Sequence, residues 1–215
     1  SKIVSNEKLS CRAIFVDADK VWLGMDKGRY GFYDKKKDTL VVKTIQSVSN
    51  ATEFRSIAAT KDAIFILAVG NPAKLIKIDK KSLQETIVYQ EENEKVFYDS
   101  MQFVDNLNGF AMGDPTEDCL SFIKTTDGGN SWEKVSCANF PKVSEGEAAF
   151  ATSNTNLIVK GKSIFMVSGG KKSRVFVSHD FGTSWLVYET PIVQGEEMTG
   201  IFTADFYNDK TGIIA

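Results

Sequence analysis

The chain has 215 residues, 42% of them hydrophobic and 11% aromatic, which is enough apolar material to form a folded core. Its 26 lysine and arginine residues nearly balance its 28 aspartate and glutamate residues, giving a formal net charge of −2. This balance and the lack of a basic stripe argue against a nucleic-acid partner. No apolar run approaches the ~18 residues of a membrane-spanning helix. With three cysteines and one histidine, the chain has little material for a zinc site, and we expect no metal and no cofactor.

Two segments share the pattern S/T-x-D-x-G-x-S-W, and each lies between two strand-like apolar runs. We interpret both as hairpin turns. In such a turn the aspartate accepts hydrogen bonds from backbone amides, the glycine adopts a left-handed conformation, and the tryptophan anchors the returning strand. The predicted structural residues are Thr125, Asp127, Gly129, Ser131 and Trp132 in the first turn, and Ser178, Asp180, Gly182, Ser184 and Trp185 in the second.

Fainter copies of the turn at Asp34 and Asp79 extend the repeat upstream, with spacings of 45, 48 and 53 residues between successive aspartates. Four-stranded propeller blades need about 40–50 residues each, and no stretch shows helical periodicity. The sequence therefore predicts an all-β protein, a β-propeller of four-stranded blades forming a single domain over 1–215. The predicted repeats are approximately 10–52, 53–96, 97–144, 145–198 and an incomplete 199–215, or about four and a half blades. The fourth repeat is expected to open with a strand at Glu147–Ala151.

Several segments of the repeats resemble BNR/Asp-box proteins related to the Ycf48 photosystem II assembly factor. The segments that carry this resemblance are Arg12-Ala13-Ile14, Val21–Gly24, Phe54–Ile57, Phe97–Phe103, Gly109–Pro115, Gly146–Ala151 and Ser168–Gly170. The resemblance implies a propeller that is seven-bladed when complete, so that two blades or more would lie outside this chain. It also implies a periplasmic or secreted location, although the chain opens at Ser1 without the features of a signal peptide.

Charged residues recur where the predicted inner strands begin or end. Arg12 and Arg55 occupy equivalent places in successive repeats, and Asp99, Asp114 and Glu147 fall at similar positions. Loops from every blade converge on the axis of a propeller, so we predict a ligand site at the mouth of the central channel. Two interpretations stay open: these residues solvate the channel and pair with one another, or they form an anion- or peptide-binding patch centred on Arg12 and Arg55.

The favoured function is a non-catalytic binding or assembly propeller that engages a protein or glycan ligand at this mouth. The alternative is a glycoside hydrolase of the sialidase-like BNR type. Such an enzyme needs an arginine cluster that clamps a carboxylate, and this chain has four arginines in all: Arg12, Arg29, Arg55 and Arg174. Because Asp127 and Asp180 lie in separate turns, we interpret them as turn caps, and we assign no catalytic residue.

The cysteines and the histidine receive structural interpretations. Cys119 and Cys137 are equidistant from residue 128, so a regular hairpin register would place them opposite each other on adjacent strands, within reach of a disulfide. Cys11 is expected to be a buried free thiol. His179, inside the second turn motif, is expected to be exposed and without a catalytic role.

Overall fold

A computed structural model describes residues 8–150 and 154–215. It contains four antiparallel sheets of four strands each and shorter two-stranded ladders. The prediction of an all-β chain built from four-stranded units is confirmed. In these two ranges the one helix is a three-residue 3₁₀ turn at Cys137–Asn139, so none there has the length or apolar character to cross a membrane.

In each sheet the strands follow chain order from the inside outward. The first sheet consists of β1 (Cys11–Asp17), β2 (Lys20–Met25), β3 (Arg29–Asp34) and β4 (Thr39–Thr44). The second consists of β5 (Phe54–Ala59), β6 (Ala63–Ala68), β7 (Ala73–Asp79) and β8 (Glu85–Glu91). The third consists of β9 (Tyr98–Phe103), β10 (Gly109–Gly113), β11 (Ser121–Thr125) and β12 (Glu133–Lys134).

The fourth sheet departs from the predicted start of its repeat. Only β13 (Glu147–Ala148) forms in the region of the expected Glu147–Ala151 strand, and it pairs with β16 (Gly169–Gly170). The prediction of a long opening strand there is wrong; residues 151–153 lie outside the described ranges. The innermost strand begins later, so that the sheet consists of β14 (Leu157–Lys160), β15 (Ser163–Val167), β17 (Arg174–Ser178) and β18 (Leu186–Glu189). A fifth, two-stranded sheet follows, with β19 (Ala204–Phe206) and β20 (Gly212–Ile214).

Burial follows the position of each strand in its sheet. The second strands β6, β10 and β15 are buried along their whole length, because neighbouring sheets cover both of their faces. The outer strands β4 and β18 are mostly exposed. The second strands β6, β10 and β15 consist mainly of apolar residues, which explains why they form the interior of the molecule. Burial of one large apolar side chain stabilises the fold by about 1.5–3 kcal/mol.

The sheets pack face to face around a common axis. The first strands β1, β5, β9, β14 and β19 lie side by side in that order. Four hydrophobic clusters fill the spaces between successive sheets, and the pairs Trp22 and Phe54, Phe65 and Tyr98, Phe122 and Met166, and Phe165 and Ala204 represent them. This is the arrangement of propeller blades, so we call the sheets blades one to five and confirm the propeller prediction.

Asn154 ties the inner strands of two blades to its own segment of the chain. Its Nδ2 atom donates to the carbonyl oxygens of Ile57 and Met101, each at 3.2 Å, and its Oδ1 atom accepts from the Met101 amide at 2.9 Å. One amide side chain thus satisfies backbone groups of β5 and β9 near the axis, which fixes the spacing of blades two to four.

The alternation of strand direction gives the propeller two distinct faces. We call the face at which the inner strands begin, at Arg12, Arg55 and Asp99, the mouth. The opposite face carries the turns after the first and third strands, including those at Asp127 and Asp180, and we call it the turn face. The mouth and the repeated turn motifs therefore lie at opposite ends of the strands.

Cys119 and Cys137 form a disulfide with a Cα–Cα distance of 5.5 Å. The geometry differs from the regular hairpin on which its prediction was based. Cys119 lies before β11 and forms a bridge with Lys142, and Cys137 opens the 3₁₀ turn. Cys11 is exposed, and its predicted burial is wrong. It starts the innermost strand of blade one, which has a neighbouring inner strand on one side among the described residues.

Candidate binding site at the channel mouth

The same β-bulge opens the inner strand of three successive blades. In blade one the register shifts between Cys11 and Ala13, which makes Arg12 the extra residue. In blade two the shift places Arg55 in the bulge, and in blade three it places Asp99 there. A bulge leaves its extra residue out of the ladder and re-aims the side chain. Three charged residues therefore leave the regular ladder at equivalent positions at one end of the molecule.

Asp99 is 1% exposed, and neither carboxylate oxygen has a hydrogen-bond partner among the described residues. Burial raises its pKa well above the ordinary value of an aspartate, Asp114 raises it further, and Arg55 opposes the shift. Asp114 follows β10, and burial raises its pKa to about 6 although its Oδ1 atom accepts a hydrogen bond from Ala149 N at 2.9 Å. The two acids and Arg55 thus form one electrostatic group at the mouth.

Arg55 is held between an acid and an aromatic ring. Its Nε and Nη2 atoms donate to Oε2 of Glu53 at 3.1 and 3.0 Å. Its guanidinium carbon lies 5.7 Å from the centre of the Phe97 ring, within the range of a cation–π contact. The Arg55 side chain is half-buried, so its charge is positioned and still reaches the surface.

Arg12 is exposed and has no ion-pair or hydrogen-bond partner in residues 8–150 and 154–215. Gly24, at the end of β2, allows blades one and two to approach each other closely here, because a Cβ atom on it would lie 3.3 Å from the Cβ of Phe54. Arg12 therefore presents a positive charge with no ion-pair partner among the described residues, on the inner strand next to the one that carries Arg55. Glu53 and Phe97, which orient Arg55, carry no repeat signal and were missed by reasoning from the sequence.

Glu147 does not belong to an open site, contrary to the prediction. It is 3% exposed and forms a bidentate pair with Arg174, at 2.9 and 2.5 Å. Its carboxylate also accepts from Ser168 Oγ at 2.6 Å and from Ser144 N at 2.8 Å. All of its lone pairs are thus engaged within blade four, where the pair joins β13 to β17. Paired bonding of this quality is what a buried charge requires.

The two turn motifs form matching hydrogen-bond sets. Oδ1 of Asp127 accepts from Thr125 Oγ1 and from the amides of Asn130 and Ser131, at 2.8 to 3.1 Å, and Oδ2 accepts from Ser131 Oγ at 2.7 Å. Asp180 has the same set with Ser178, Thr183 and Ser184. Burial opposes ionisation of Asp127, but the hydrogen bonds outweigh it and lower the pKa to about 2. The hydrogen bonds from Ser184 and its neighbours likewise lower the pKa of Asp180 to about 2.

The tryptophans of these turns pack against the preceding blade. Trp132 makes edge contacts with Phe103 and with Phe65 of blade two, at 5.6 and 6.4 Å between ring centres. Trp185 contacts Phe122 of blade three at 5.4 Å. Gly129 and Gly182 have φ of +75° and +78°. Each lies against the phenyl ring of the preceding blade that its own tryptophan contacts, which is Phe65 for Gly129 and Phe122 for Gly182. The motif therefore closes a hairpin and also joins it to the next blade.

One group of possible metal ligands lies elsewhere on the molecule. Glu117, Asp118 and Cys137 each bring one ligand atom within 4.8 Å of the others. The sulfur of Cys137 belongs to the disulfide, so it offers no thiolate. The Asp118 carboxylate pairs with Lys142 at 2.5 Å.

The sequence matches no family model and no curated protein. Solved propellers resemble the structure. U3-55K has a TM-score of 0.70 at 13% identity and the WD40 repeats of RRP9 have 0.68 at 12%, each over 98% of this chain. This chain spans 59% and 58% of the length of those two chains. The complex titled "YCF48 bound to D1 peptide" reaches a TM-score of 0.48 at 10% identity, over 96% of this chain and 90% of that chain, too low to support the predicted family. The comparisons establish a β-propeller, and the Ycf48-like family stays a prediction.

Proposed function

We propose that this chain is a non-catalytic binding propeller that engages a protein or glycan ligand at the channel mouth. The observation that carries the proposal is the bulge repeated in β1, β5 and β9. It brings Arg12, Arg55 and Asp99 to one end of three adjacent inner strands. Loops from all blades converge there, and rigid strands position the charges.

The charges at the mouth favour a ligand with an anionic group. Arg12 has no ion-pair partner among the described residues, and Arg55 keeps a surface-accessible guanidinium although Glu53 is paired with it. Burial suppresses the ionisation of Asp99 and raises the pKa of Asp114 to about 6, which reduces the negative charge that would oppose such a ligand. Guanidinium groups at the same end of two adjacent inner strands suit a carboxylate, a sulfate or a phosphate on the ligand.

The sialidase-like alternative has less support. Of the four arginines, Arg174 is committed to the buried Glu147, and Arg29 donates to the Asp26 carboxylate and to the carbonyl oxygens of Asp26 and Lys8. Two arginines of this chain therefore remain at the mouth, so a carboxylate-clamping trio would need a third arginine from outside residues 1–215. A fluorogenic sialoside hydrolysed by the protein, with the activity lost in Arg55→Ala, would establish the enzyme instead.

We also propose an oxidising, periplasmic or secreted location. The disulfide between Cys119 and Cys137 supports it, because disulfides persist in such compartments and are rare in reducing ones. Counting free thiols under denaturing, non-reducing conditions on protein recovered from its native cells tests this: one thiol is expected, and three would contradict it.

The binding proposal is tested by screening the untagged protein on a glycan array and on a peptide array that contains acidic sequences. Ligands bound by the wild type are tested again with the double variant R12A/R55A. The control K37Q/K81Q removes two exposed positive charges on the opposite face, in the β3–β4 and β7–β8 turns. We expect R12A/R55A to lose the signals and K37Q/K81Q to keep them. Equal binding by R12A/R55A and wild type would overturn the proposal.

A further inference from the structure

A second candidate site lies on the turn face, far along the strands from the mouth. A cavity of about 720 Å³ opens between the turns of blades four and five. Three chain segments form its wall: the β14–β15 turn at Lys160–Ser163, the start of the second turn motif at His179, and the β19–β20 turn at Asn208–Lys210. Nothing in the proposed mouth function uses these residues.

The lining of this cavity is positively charged in a chain whose net charge is negative. Lys160, Lys162 and Lys210 line it together with His179, and Asp209 is the acid among the lining residues. Neither Lys162 nor Lys210 has an ion-pair partner within the described part of the chain. Lys160 has a distant one, with its Nζ atom 4.0 Å from Oδ1 of the 88% exposed Asp205. Exposed pairs at this distance contribute little, so the ammonium groups are available to a ligand.

The turns that carry these cations are fixed by hydrogen bonds. Ser163 Oγ and His179 Nδ1 lie 2.8 Å apart, which orients the imidazole ring from a buried hydroxyl. The Phe181 amide donates to Lys162 O at 3.2 Å, which joins the first two segments. In the third segment, Asn208 Oδ1 accepts from the amides of Lys210 and Thr211 at 2.9 and 2.8 Å. Three braced turns thus carry the lysines and the histidine that line the cavity.

We propose that this cavity binds a multiply charged oxyanion of the phosphate or sulfate type, carried by a larger molecule. Lysine ammonium groups serve as point-charge ligands for such oxyanions. Two of them come from the β14–β15 turn and one from the β19–β20 turn, and together they match a group whose negative charge is spread over several oxygens. The volume exceeds that of one phosphate, which leaves room for the molecule that bears it.

The test uses the single histidine of the chain as its reporter. Proton NMR of the untagged protein resolves the ring signals of His179 without interference from another histidine of the sequence. Inorganic pyrophosphate and inorganic sulfate are titrated separately at constant pH and ionic strength, with sodium chloride as the reference. We expect saturable shifts of the His179 signals with the oxyanions and none with chloride. Comparing the two oxyanions distinguishes phosphate from sulfate chemistry.

The lysines are tested by variants that keep the fold. K162Q/K210Q is expected to weaken pyrophosphate binding by about tenfold, and each single variant by less. The control K37Q/K81Q, which removes two lysines on the turn face of blades one and two, is expected to bind as the wild type does. Lys162 and Lys210 are both exposed, so we expect the substitutions to leave the fold intact. An unchanged thermal unfolding transition of each variant verifies this. Unsaturable shifts in the wild type, or equal affinity in K162Q/K210Q and wild type, would overturn the proposal whatever the outcome at the mouth.

Discussion

The Asp99 carboxyl lies in surroundings that oppose its ionisation. It is buried, has no hydrogen-bond partner among the described residues, and is close enough to Asp114 for that acid to raise its pKa. The folded protein therefore retains a proton that the unfolded chain releases above its ordinary pKa of ~3.9. When the native state binds more protons, stability falls as pH rises. The decline should run from about pH 4 through the range near pH 6 in which Asp114 also titrates.

Asp99→Asn removes this penalty at neutral pH. We expect the melting temperature of D99N to exceed that of the wild type at pH 7 by about 2–4 °C, equivalent to ~1 kcal/mol for a domain of this size. The difference should disappear as the pH is lowered to about 4 and below, where the unfolded chain also protonates Asp99. Thermal unfolding followed by circular dichroism at both pH values measures it. A D99N variant that is less stable at pH 7 would show that the charge of Asp99 stabilises Arg55.

Gly129 combines a left-handed backbone with a close contact. An added Cβ atom would lie 2.3 Å from Phe65 of the neighbouring blade. Gly161 has a similar φ of +59°, but an added Cβ there would meet no atom of the described residues within 4 Å. The two glycines therefore separate backbone strain from contact between blades.

Gly161→Ala should cost about 1–2 kcal/mol of unfolding free energy, for the left-handed backbone alone. Gly129→Ala should cost about 1–3 kcal/mol more, because the methyl group forces the Phe65 ring to move. Urea denaturation of both variants measures the difference. Equal losses would mean that the turn motif does not hold neighbouring blades together.

At the scale of single elements, two kinds of interaction hold the hairpin between Cys119 and Cys137 together. The Asp127 hydrogen bonds fix the turn, and the disulfide joins segments 18 residues apart. In the chain-entropy model, a closed loop of this length stabilises the fold by about 3 kcal/mol.

Reduction of the disulfide, or the variant C119S/C137S, should therefore lower the melting temperature by roughly 6–12 °C. Cys11→Ser serves as the control because Cys11 is unpaired and exposed. Differential scanning calorimetry with and without a reducing agent gives the shift. An unchanged transition after complete reduction would show that the hairpin alone maintains this part of blade three.

Sequence patterns predict some of these elements better than others. The Asp127 and Asp180 turns are evident because the hydrogen-bond set needs particular residue types at fixed spacing. The inner strand of blade four was misplaced because Glu147–Ala151 carries the apolar pattern of a strand, whereas the strand at Leu157–Lys160 is set by packing against β9. The ladder between Glu147 and Gly170 and the hydrogen bonds of Asn154 depend on tertiary contacts that local pattern does not encode.

At the scale of the whole molecule, the repeat predicts the propeller and also indicates where to look for function. Equivalence of Arg12 and Arg55 follows from the spacing of the repeats. The bulges that expose these residues, and the inclusion of Asp99 in the same series, required the strand register. Glu147 was placed with them by position along the chain, and its pairing with Arg174 from β17 removes it. The position of a charged residue in the repeat predicts at which end of the molecule it lies. Its bonding partners decide whether its charge is available to a ligand.

Arginine modification read by mass spectrometry tests directly whether the ligand binds at the channel mouth. A dicarbonyl reagent should modify Arg12 and, more slowly, Arg55, because both reach the surface. Arg29 and Arg174, which are engaged in hydrogen bonds, act as internal references. At saturation with a ligand identified on the arrays, we predict that Arg12 and Arg55 become protected while the rates at Arg29 and Arg174 stay unchanged. Undiminished modification of both Arg12 and Arg55 in the saturated complex would contradict the assignment of the binding site to the channel mouth.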